Sequence, residues 1–191
     1  MIIGITGHAQ HGKDTIGDLL VNEMGYTRLS FAEPMKREVA ELYRPVLIAY
    51  GRELGCDPAT VIPFNDDAIV AHLIATKPPL VRKLMQVHGT DIRRKEDPHY
   101  WVHKWLQQWR NRDNIVATDV RFLNEANAVR RIGGVMVRVV RPSVAVDLSH
   151  SSESELTQIT VAATFTNNGT IADLHTQVRD WLKGSHVQPL V

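Results

Sequence analysis

The sequence predicts an α/β fold, in which helices cover both faces of a mostly parallel sheet in three layers, α/β/α. Short β-branched apolar runs alternate along the chain with stretches of helical periodicity, the pattern of parallel α/β proteins. The first run leads directly into a glycine-containing loop and then into a helix. The 191 residues, 43% of them apolar and 23% charged, fit one globular domain over residues 1–191.

In the first quarter of the chain, strands and helices alternate. Residues 1–6 are apolar and largely β-branched, which predicts a buried strand. From Lys13 onward, apolar residues recur at helical spacing until Gly25 ends the helix. A second strand is predicted at residues 26–31, and a second helix at residues 33–43 with a proline in its first turn.

The middle of the chain predicts helices without strands. Residues 44–79 hold apolar stretches separated by glycines and prolines, and we interpret them as short helices in an insert. A further helix is predicted at residues 80–88 and is expected to end at Gly89. Asp97 and Pro98 fit the N-cap and first position of the next helix, whose apolar face holds three tryptophans.

The last part of the chain returns to alternating strands and helices. We predict strands at residues 115–118, 135–140 and 163–166, and helices at residues 125–132 and 171–182. Residues 142–154 are polar and rich in serine, and we interpret them as a loop or a lid.

Composition and charge exclude several classes of protein. Lysine and arginine number 22 against 21 aspartates and glutamates, so the net charge of +1 does not predict binding to a nucleic-acid polymer or a membrane surface. The longest apolar run, residues 46–50, is far shorter than the roughly 20 residues of a membrane helix. A single cysteine fits a reducing compartment. We therefore expect a soluble cytoplasmic protein.

The strongest chemical signal is the segment G-H-A-Q-H-G-K-D-T at residues 7–15, between the first strand and the first helix. Its glycines and its lysine have the spacing of a phosphate-binding loop, or P-loop. Backbone N–H groups and the helix N-terminus would face the phosphates, and Lys13 would reach the β- and γ-phosphates. His8 and His11 are expected near the phosphates. The alternative is a glycine-rich turn with an incidental lysine.

Asp14 departs from the general P-loop pattern, which places serine or threonine directly after the lysine to hold magnesium. Asp14 can hold Mg²⁺ directly or through water, act as a base toward an acceptor, or serve only as a charge at the helix N-terminus. Thr15 would then bond a phosphate oxygen. The departure argues against an ordinary GTPase.

A second candidate site follows the strand at residues 115–118. Asp119 ends that strand, as does the second acidic residue that orders magnesium in nucleotide-phosphate enzymes. Arg121 and Glu125 follow at the strand edge where open α/β sheets bind ligands. A turn or capping aspartate remains the alternative for Asp119.

Further cations and aromatic rings are candidates for an acceptor site. Taken singly, each cation fits a solvated surface charge better than a binding site. The tryptophans are expected in the core, although Trp101 can border a base and Phe31 can stack on one. The cations are Lys36, Arg93, Arg94 and Arg141.

Several ordered segments together resemble the deoxynucleoside monophosphate kinases of tailed bacteriophages, a branch of the P-loop nucleoside-monophosphate-kinase-like fold. The most specific is T-D-V-R-F-L-N-E-A at residues 118–126, and the G-K-D-T ending of the phosphate loop is usual in this family. The other segments are residues 5–15, 30–36, 84–90 with Arg93 and Arg94, 97–102, 141–142, 150–153 and 168–170. They span most of the chain, and residues 44–79 match least.

The resemblance implies ATP-dependent transfer of a phosphoryl group to a deoxynucleoside monophosphate with Mg²⁺, giving the diphosphate. Our mechanistic hypothesis is direct in-line transfer without a covalent enzyme intermediate. The resemblance further implies an acceptor-binding helical region at about residues 33–110 and a lid at about residues 141–155. The host cytoplasm is the implied location if the chain is phage-encoded. Base preference does not follow, and a homodimer is left open.

The resemblance also assigns roles residue by residue. ATP would contact Gly7, His8, His11, Gly12, Lys13, Asp14, Thr15, Arg141, Asn168 and Gly169. The acceptor would contact Phe31, Lys36, Arg93, Arg94, Trp101, Asp119, Arg121, Glu125 and Glu153. The catalytic residues would be Lys13, Asp14, Arg94 and Arg121, and the metal candidates are Asp14, Thr15 and Asp119.

Two alternatives stay open at this point. The chain can be another small-molecule kinase of the same fold, such as one that phosphorylates a ribose hydroxyl of dephospho-coenzyme A with Asp14 as the base. It can also be an ATP-binding switch that hydrolyses ATP slowly and binds a protein. The segment around Asp119 disfavours the first alternative, and arginines at two presumed phosphate sites disfavour the second.

Overall fold

The computed structural model describes residues 1–54, 65–110, 112–145 and 151–184. The strands are β1 (Ile2–Thr6), β2 (Thr27–Arg28), β3 (Ile115–Ala117), β4 (Val135–Val140) and β5 (Ala163–Thr166). The helices are α1 (Lys13–Met24), α2 (Ala32–Leu42), α3 (Arg44–Glu53), α4 (Asp66–Thr76), α5 (Pro79–Gln86), a π-helical segment (Val87–Arg94), α6 (Tyr100–Trp109), α7 (Leu123–Arg131), α8 (Ser151–Gln158) and α9 (Ile171–Gly184). None of these helices is long and apolar enough to cross a membrane.

The five strands form one sheet in the order β2-β3-β1-β4-β5, and neighbouring strands run parallel. β1 lies in the centre, where Ile3 pairs with Val116 of β3 on one side and with Val135 of β4 on the other. All five residues of β1 are buried, as expected for a continuous apolar run covered on both faces. The predicted α/β fold with a parallel sheet is confirmed.

Two compact units make up the chain. The first consists of Met1–Phe31 and Trp105–Val191, and the second of Ala32–Lys104. The first unit has its core between the sheet, α1 and α9, with Ile5 and Leu20 fully buried there. The helical unit has a core of its own. Its buried members include Val39, Leu47, Ile69, Leu73 and Val81.

The short helices predicted within residues 44–79 are present as α3 and α4, whereas Cys56 lies outside the described residues. Two other predicted elements are wrong in part. The strand predicted at residues 26–31 is limited to Thr27–Arg28, because the backbone N–H of Phe31 donates to a side chain and not to a neighbouring strand. The helix predicted to end at Gly89 continues as the π-helical segment.

The polar segment interpreted as a loop or lid is also wrong in part, because α8 begins at Ser151. Leu156 and Ile159 are buried, and the guanidinium of Arg138 on β4 donates to the carbonyl oxygens of both residues, over 3.1 and 2.7 Å. The end of α8 is therefore part of the packed first unit. Residues 146–150 of the predicted lid lie outside the described residues.

Candidate active site

The loop between β1 and α1 has a backbone that its glycines make possible. Gly7 and Gly12 have φ angles of 149° and 108°, which L side chains rarely adopt. A Cβ atom on Gly12 would also lie 2.8 Å from the amide nitrogen of Asn167. That amide donates a hydrogen bond of 2.9 Å to the carbonyl oxygen of His11. The loop after β5 therefore supports the phosphate loop directly.

Lys13 is the first residue of α1, and its ammonium lies within the loop. Its Nζ donates to the carbonyl oxygens of Gly7 and His8, each over 2.7 Å. His11 is buried, and its ring meets that of His8 edge to face with 5.2 Å between centroids. A positive charge is thus held at the helix N-terminus, where backbone N–H groups also favour an anion.

A cavity of about 380 Å³ opens at this loop. It is lined by Gln10, Gly12, Lys13, Asp14, Thr15, Arg141, Asn167, Gly169, Ile171 and Leu174. Among the residues assigned to ATP from the sequence, Arg141 and Gly169 line this cavity together with the loop. In place of the predicted Asn168, its neighbour Asn167 lines the cavity. The sequence analysis did not single out Ile171, which lines the cavity and is 65% exposed.

The Asp14 carboxylate has two partners that the sequence analysis missed. The Thr118 hydroxyl donates to Asp14 Oδ1 over 3.1 Å, and Arg28 Nη1 lies 3.6 Å from the same oxygen. Arg28 also donates to the Asp14 carbonyl oxygen and to the Asp18 carboxylate. Thr118 belongs to the segment that carries the resemblance, but Arg28 has no local pattern that would single it out.

Asp119 connects the ends of two strands. Its Oδ2 accepts a hydrogen bond from the Ser30 hydroxyl over 2.5 Å, and its Oδ1 accepts the backbone N–H of Phe31 over 3.0 Å. The carboxylate therefore fixes the segment that leads from β2 into the helical unit. Its assignment to magnesium stays a prediction.

Glu125 is a buried capping residue in this structure, and its assignment to the acceptor stays a prediction. Its side chain is 3% exposed, and its Oε2 accepts the backbone N–H groups of Arg121 and Phe122 over 2.9 and 3.2 Å. Glu155 accepts the next N–H, that of Leu123, over 3.1 Å. Two carboxylates thus cap the start of α7 and hold the backbone of Arg121, whose side chain is exposed.

The two aromatic residues proposed to stack on a base are buried. Phe31 is 3% exposed and stacks on Trp105, with 4.4 Å between ring centroids. Trp101 is 2% exposed, and its indole N–H donates to the Gly89 carbonyl oxygen over 3.0 Å. Both rings have almost no exposed face in this structure, so here they contribute to packing.

The helical unit holds three of the predicted cations, and each of Lys36 and Arg93 has an acidic partner. Lys36 Nζ lies 3.8 Å from a carboxylate oxygen of Glu33. Arg93 Nε donates to Glu38 Oε2 over 3.1 Å. Arg94, the third cation, is the last residue of the π-helical segment. The side chain of Glu153 lies outside the described residues.

Glu38 was missed because a lone glutamate on a helix carries no sequence signal. Its carboxylate also accepts hydrogen bonds from the hydroxyl of Tyr100 and from His88 Nε2, the latter over 3.0 Å. Burial alone would raise the pKa of the Glu38 carboxyl, but the hydrogen bonds from Tyr100, His88 and Arg93 outweigh it and lower that pKa. The pKa of Tyr100 is raised by burial and by its hydrogen bond to Glu38.

Comparison with known proteins decides the family. The model of the deoxynucleotide monophosphate kinase family matches residues 50–178, more than half of the chain. The chain belongs to the deoxynucleotide monophosphate kinase family. Members of this kinase family are phosphotransferases. The phosphate loop at residues 7–15 lies outside the matched range, so its geometry adds to the match instead of repeating it.

Two viral relatives extend this result. A protein of Acanthamoeba polyphaga mimivirus, provisionally named a deoxynucleotide monophosphate kinase, is 29% identical over 93% of this chain and 94% of its own length. The deoxynucleotide monophosphate kinase of Enterobacteria phage T4 is 30% identical over 54% of this chain and 45% of its own length.

Among solved structures, shikimate kinase from Aquifex aeolicus is similar with a TM-score of 0.53 and 13% identity, over 98% of this chain and 99% of that one. At this identity the likeness concerns the fold alone. It agrees with the α/β fold that the sequence predicts.

Proposed function

We propose that this chain transfers the γ-phosphoryl group of ATP to the phosphate of a deoxynucleoside monophosphate, which releases ADP and the deoxynucleoside diphosphate. The observation that supports this most directly is the cavity at the phosphate loop, with Lys13 held inside the loop by two backbone carbonyl oxygens. A triphosphate in that cavity would draw the ammonium of Lys13 from those oxygens to its own. The family membership supports the acceptor class.

The walls of the cavity suit the rest of ATP. Arg141 provides a cation above the loop, and Ile171 with Leu174 provides an apolar surface on which a purine ring can rest. The amide of Asn167 is already used in supporting the loop. We therefore assign the phosphates to residues 7–15 and the adenine to the side of the cavity formed by Gly169 and Ile171.

The donor set at the start of α1 fits a magnesium ion. Asp14 and Thr15 both line the cavity and offer a carboxylate and a hydroxyl, the hard oxygen ligands that Mg²⁺ prefers together with substrate phosphates. Mg²⁺ bound there would neutralise charge on the β- and γ-phosphates. The Asp14 side chain is 78% exposed and is oriented by Thr118 and Arg28, so it can reach a ligand without leaving its partners.

On the acceptor side, we assign Arg121, Lys36, Arg93 and Arg94 to the monophosphate and the transferring group. Phosphoryl transfer depends mostly on positioning and charge neutralisation, so positively charged side chains are expected around the phosphates. The Glu125 cap holds the backbone of Arg121 at the start of α7. Asp119 holds the segment that follows β2.

The test is ADP release from ATP and Mg²⁺, measured by a coupled assay with each of the four deoxynucleoside monophosphates in turn. We expect ADP to form only when a monophosphate is present, and the order of rates gives the base preference. One slow rate regardless of the acceptor would instead mean an ATPase or a switch. ATP binding without any ADP release would mean a different acceptor, and either result would overturn the proposal.

A further inference from the structure

The π-helical segment brings together two side chains that an α-helix would separate. His88 and Arg93 are five residues apart, and both contact the same atom, Glu38 Oε2, over 3.0 and 3.1 Å. Five residues of an α-helix advance about 1.4 turns, which places their side chains on different sides of the helix. In a π-helix the hydrogen bonds run from residue i to residue i+5, so residues five apart are neighbours. The winding is what lets one carboxylate hold both groups.

The segment is closely packed at Gly89. Gly89 has no side chain, and an added Cβ would collide with the sulfur of Met35 on α2. The indole of Trp101 donates to the Gly89 carbonyl oxygen over 3.0 Å. π-Helical turns are frequent at functional sites, and this one ends at Arg93 and Arg94.

The guanidinium of Arg93 is held from two directions. Its Nε donates to Glu38, and its central carbon lies 4.9 Å from the centroid of the Tyr100 ring. The Tyr100 hydroxyl donates to the other oxygen of the same Glu38 carboxylate. Arg93 Nη1 lies 3.5 Å from Glu96, whose side chain is 64% exposed. The Nε edge of Arg93 is thus fixed, whereas within the described residues its Nη1 faces the exposed carboxylate of Glu96, which an anion can replace.

We propose that Glu38 is a positioning residue that holds the π-helical winding and presents the Nη edge of Arg93 to the phosphate of the acceptor monophosphate. This inference rests on the proposed function, in which Arg93 contacts the acceptor. Glu38 itself touches no substrate. A guanidinium fixed through Nε loses little side-chain entropy when it binds a phosphate with its two remaining nitrogens, so acceptor binding would be strengthened.

The test compares Glu38→Gln with Glu41→Gln, an equal change of charge at an exposed position of the same helix. We expect Glu38→Gln to raise the KM for the deoxynucleoside monophosphate by roughly tenfold, because Arg93 is no longer oriented. The KM for ATP should change by less than about twofold, and Glu41→Gln should change neither constant. A general loss of structure would move both KM values together.

A double-mutant cycle distinguishes positioning through Arg93 from any other effect. In an Arg93→Met background, the further change Glu38→Gln should have almost no effect on the acceptor KM, because the cation that Glu38 orients is gone. An equal effect in both backgrounds would overturn the proposal. So would an acceptor KM that Glu38→Gln leaves unchanged.

If Glu38→Gln does not fold, Tyr100→Phe removes one hydrogen bond from the same carboxylate and keeps the ring beneath Arg93. It should raise the acceptor KM by about threefold, and an unchanged KM would overturn the proposal. The wild-type assay separates the two levels of inference. A wild-type chain that phosphorylates no deoxynucleoside monophosphate overturns the proposed function, whereas an active chain that is insensitive to these variants overturns only the role of Glu38.

Discussion

The hydroxyl of Thr118 donates a hydrogen bond of 3.1 Å to the carboxylate of Asp14. Thr118 directly follows β3 and is 5% exposed, whereas Asp14 stands in the phosphate loop with a side chain that is 78% exposed. A buried donor from a neighbouring strand therefore sets the direction of an exposed carboxylate. In the proposed function this carboxylate is the group that faces Mg²⁺.

The change Thr118→Val removes that donor and keeps the shape of the side chain. One hydrogen bond is worth about 1 kcal/mol, so we expect the Mg²⁺ concentration for half-maximal ADP release to rise roughly fivefold. The measurement is a Mg²⁺ titration at fixed ATP and monophosphate. Thr27→Val, at an exposed position of β2, is the matched control. An unchanged Mg²⁺ requirement would show that Thr118 does not orient a metal ligand.

Removal of the loop cation tests the centre of the proposed site. We expect Lys13→Ala to lower kcat by roughly 10²-fold or more, because a positioned charge that stabilises the transferring group is lost. Lys183→Ala removes the same charge from an exposed side chain of α9 and should leave kcat unchanged. Steady-state ADP release measures both variants. Nearly full turnover of Lys13→Ala would contradict the role given to this lysine.

A change in the apolar wall of the cavity should weaken the binding of ATP and leave the binding of the monophosphate unchanged. Ile171→Ser removes the exposed apolar surface assigned to adenine, and we expect the KM for ATP to rise by about threefold to tenfold. The KM for the monophosphate should stay the same. Leu42→Ser, a similarly exposed position in the helical unit, serves as the control. Equal shifts of both KM values would place ATP elsewhere.

Removal of the Glu125 carboxylate is expected to lower the stability of the fold. Glu125→Ala leaves two backbone N–H groups at the start of α7 without their carboxylate, and the free energy of unfolding should fall by about 1–2 kcal/mol. Urea unfolding measures the loss against Glu41→Ala, which changes an exposed helix position. A variant of unchanged stability with a raised acceptor KM would instead restore Glu125 to the substrate site.

The lowered pKa of Glu38 predicts how stability depends on pH. A carboxyl whose folded-state pKa lies below its ordinary value of 4.5 stabilises the fold above that value, and this contribution is lost as the pH falls through the folded-state pKa. The difference in unfolding free energy between the wild type and Glu38→Gln should therefore be constant above about pH 5.5 and shrink below about pH 4.5. Urea unfolding across that range checks it, with Glu41→Gln correcting for exposed carboxylates. A difference that grows on acidification would contradict the assigned shift.

Local patterns were enough to predict most of the sheet and the phosphate loop. Residues 7–15 can be recognised as a phosphate loop because the glycines, the lysine and the flanking strand and helix are close together in the chain. Arg28 and Glu38 could not be found in this way, because their partners come from distant segments that only the folded chain brings to them. The same holds for α8, whose polar residues indicate a loop. Arg138 of β4 donates to carbonyl oxygens at and just after its end, and this contact between distant segments cannot be seen in the sequence.

Gly89 shows the limit most clearly. A glycine at the end of an apolar helical stretch usually marks a C-terminus, and the sequence has no means of showing that a methionine sulfur occupies the space of the absent side chain. Glu125 shows a different limit. Its charge and its place beside Arg121 indicate a ligand-binding group, and the sequence does not show that it is buried and caps two backbone N–H groups.

The central position of β1 has a consequence for biosynthesis. Both sheet neighbours of β1 come late in the chain, β3 at Ile115–Ala117 and β4 at Val135–Val140. At typical translation rates, roughly 7 to 28 s separate the emergence of the first strand from that of the second neighbour. The helical unit of Ala32–Lys104 is synthesised entirely within that interval. Until β3 emerges, β1 has neither of its neighbouring strands, although all five of its residues are buried in the folded protein. A chaperone that shields extended apolar segments would therefore be expected to bind the nascent chain at β1.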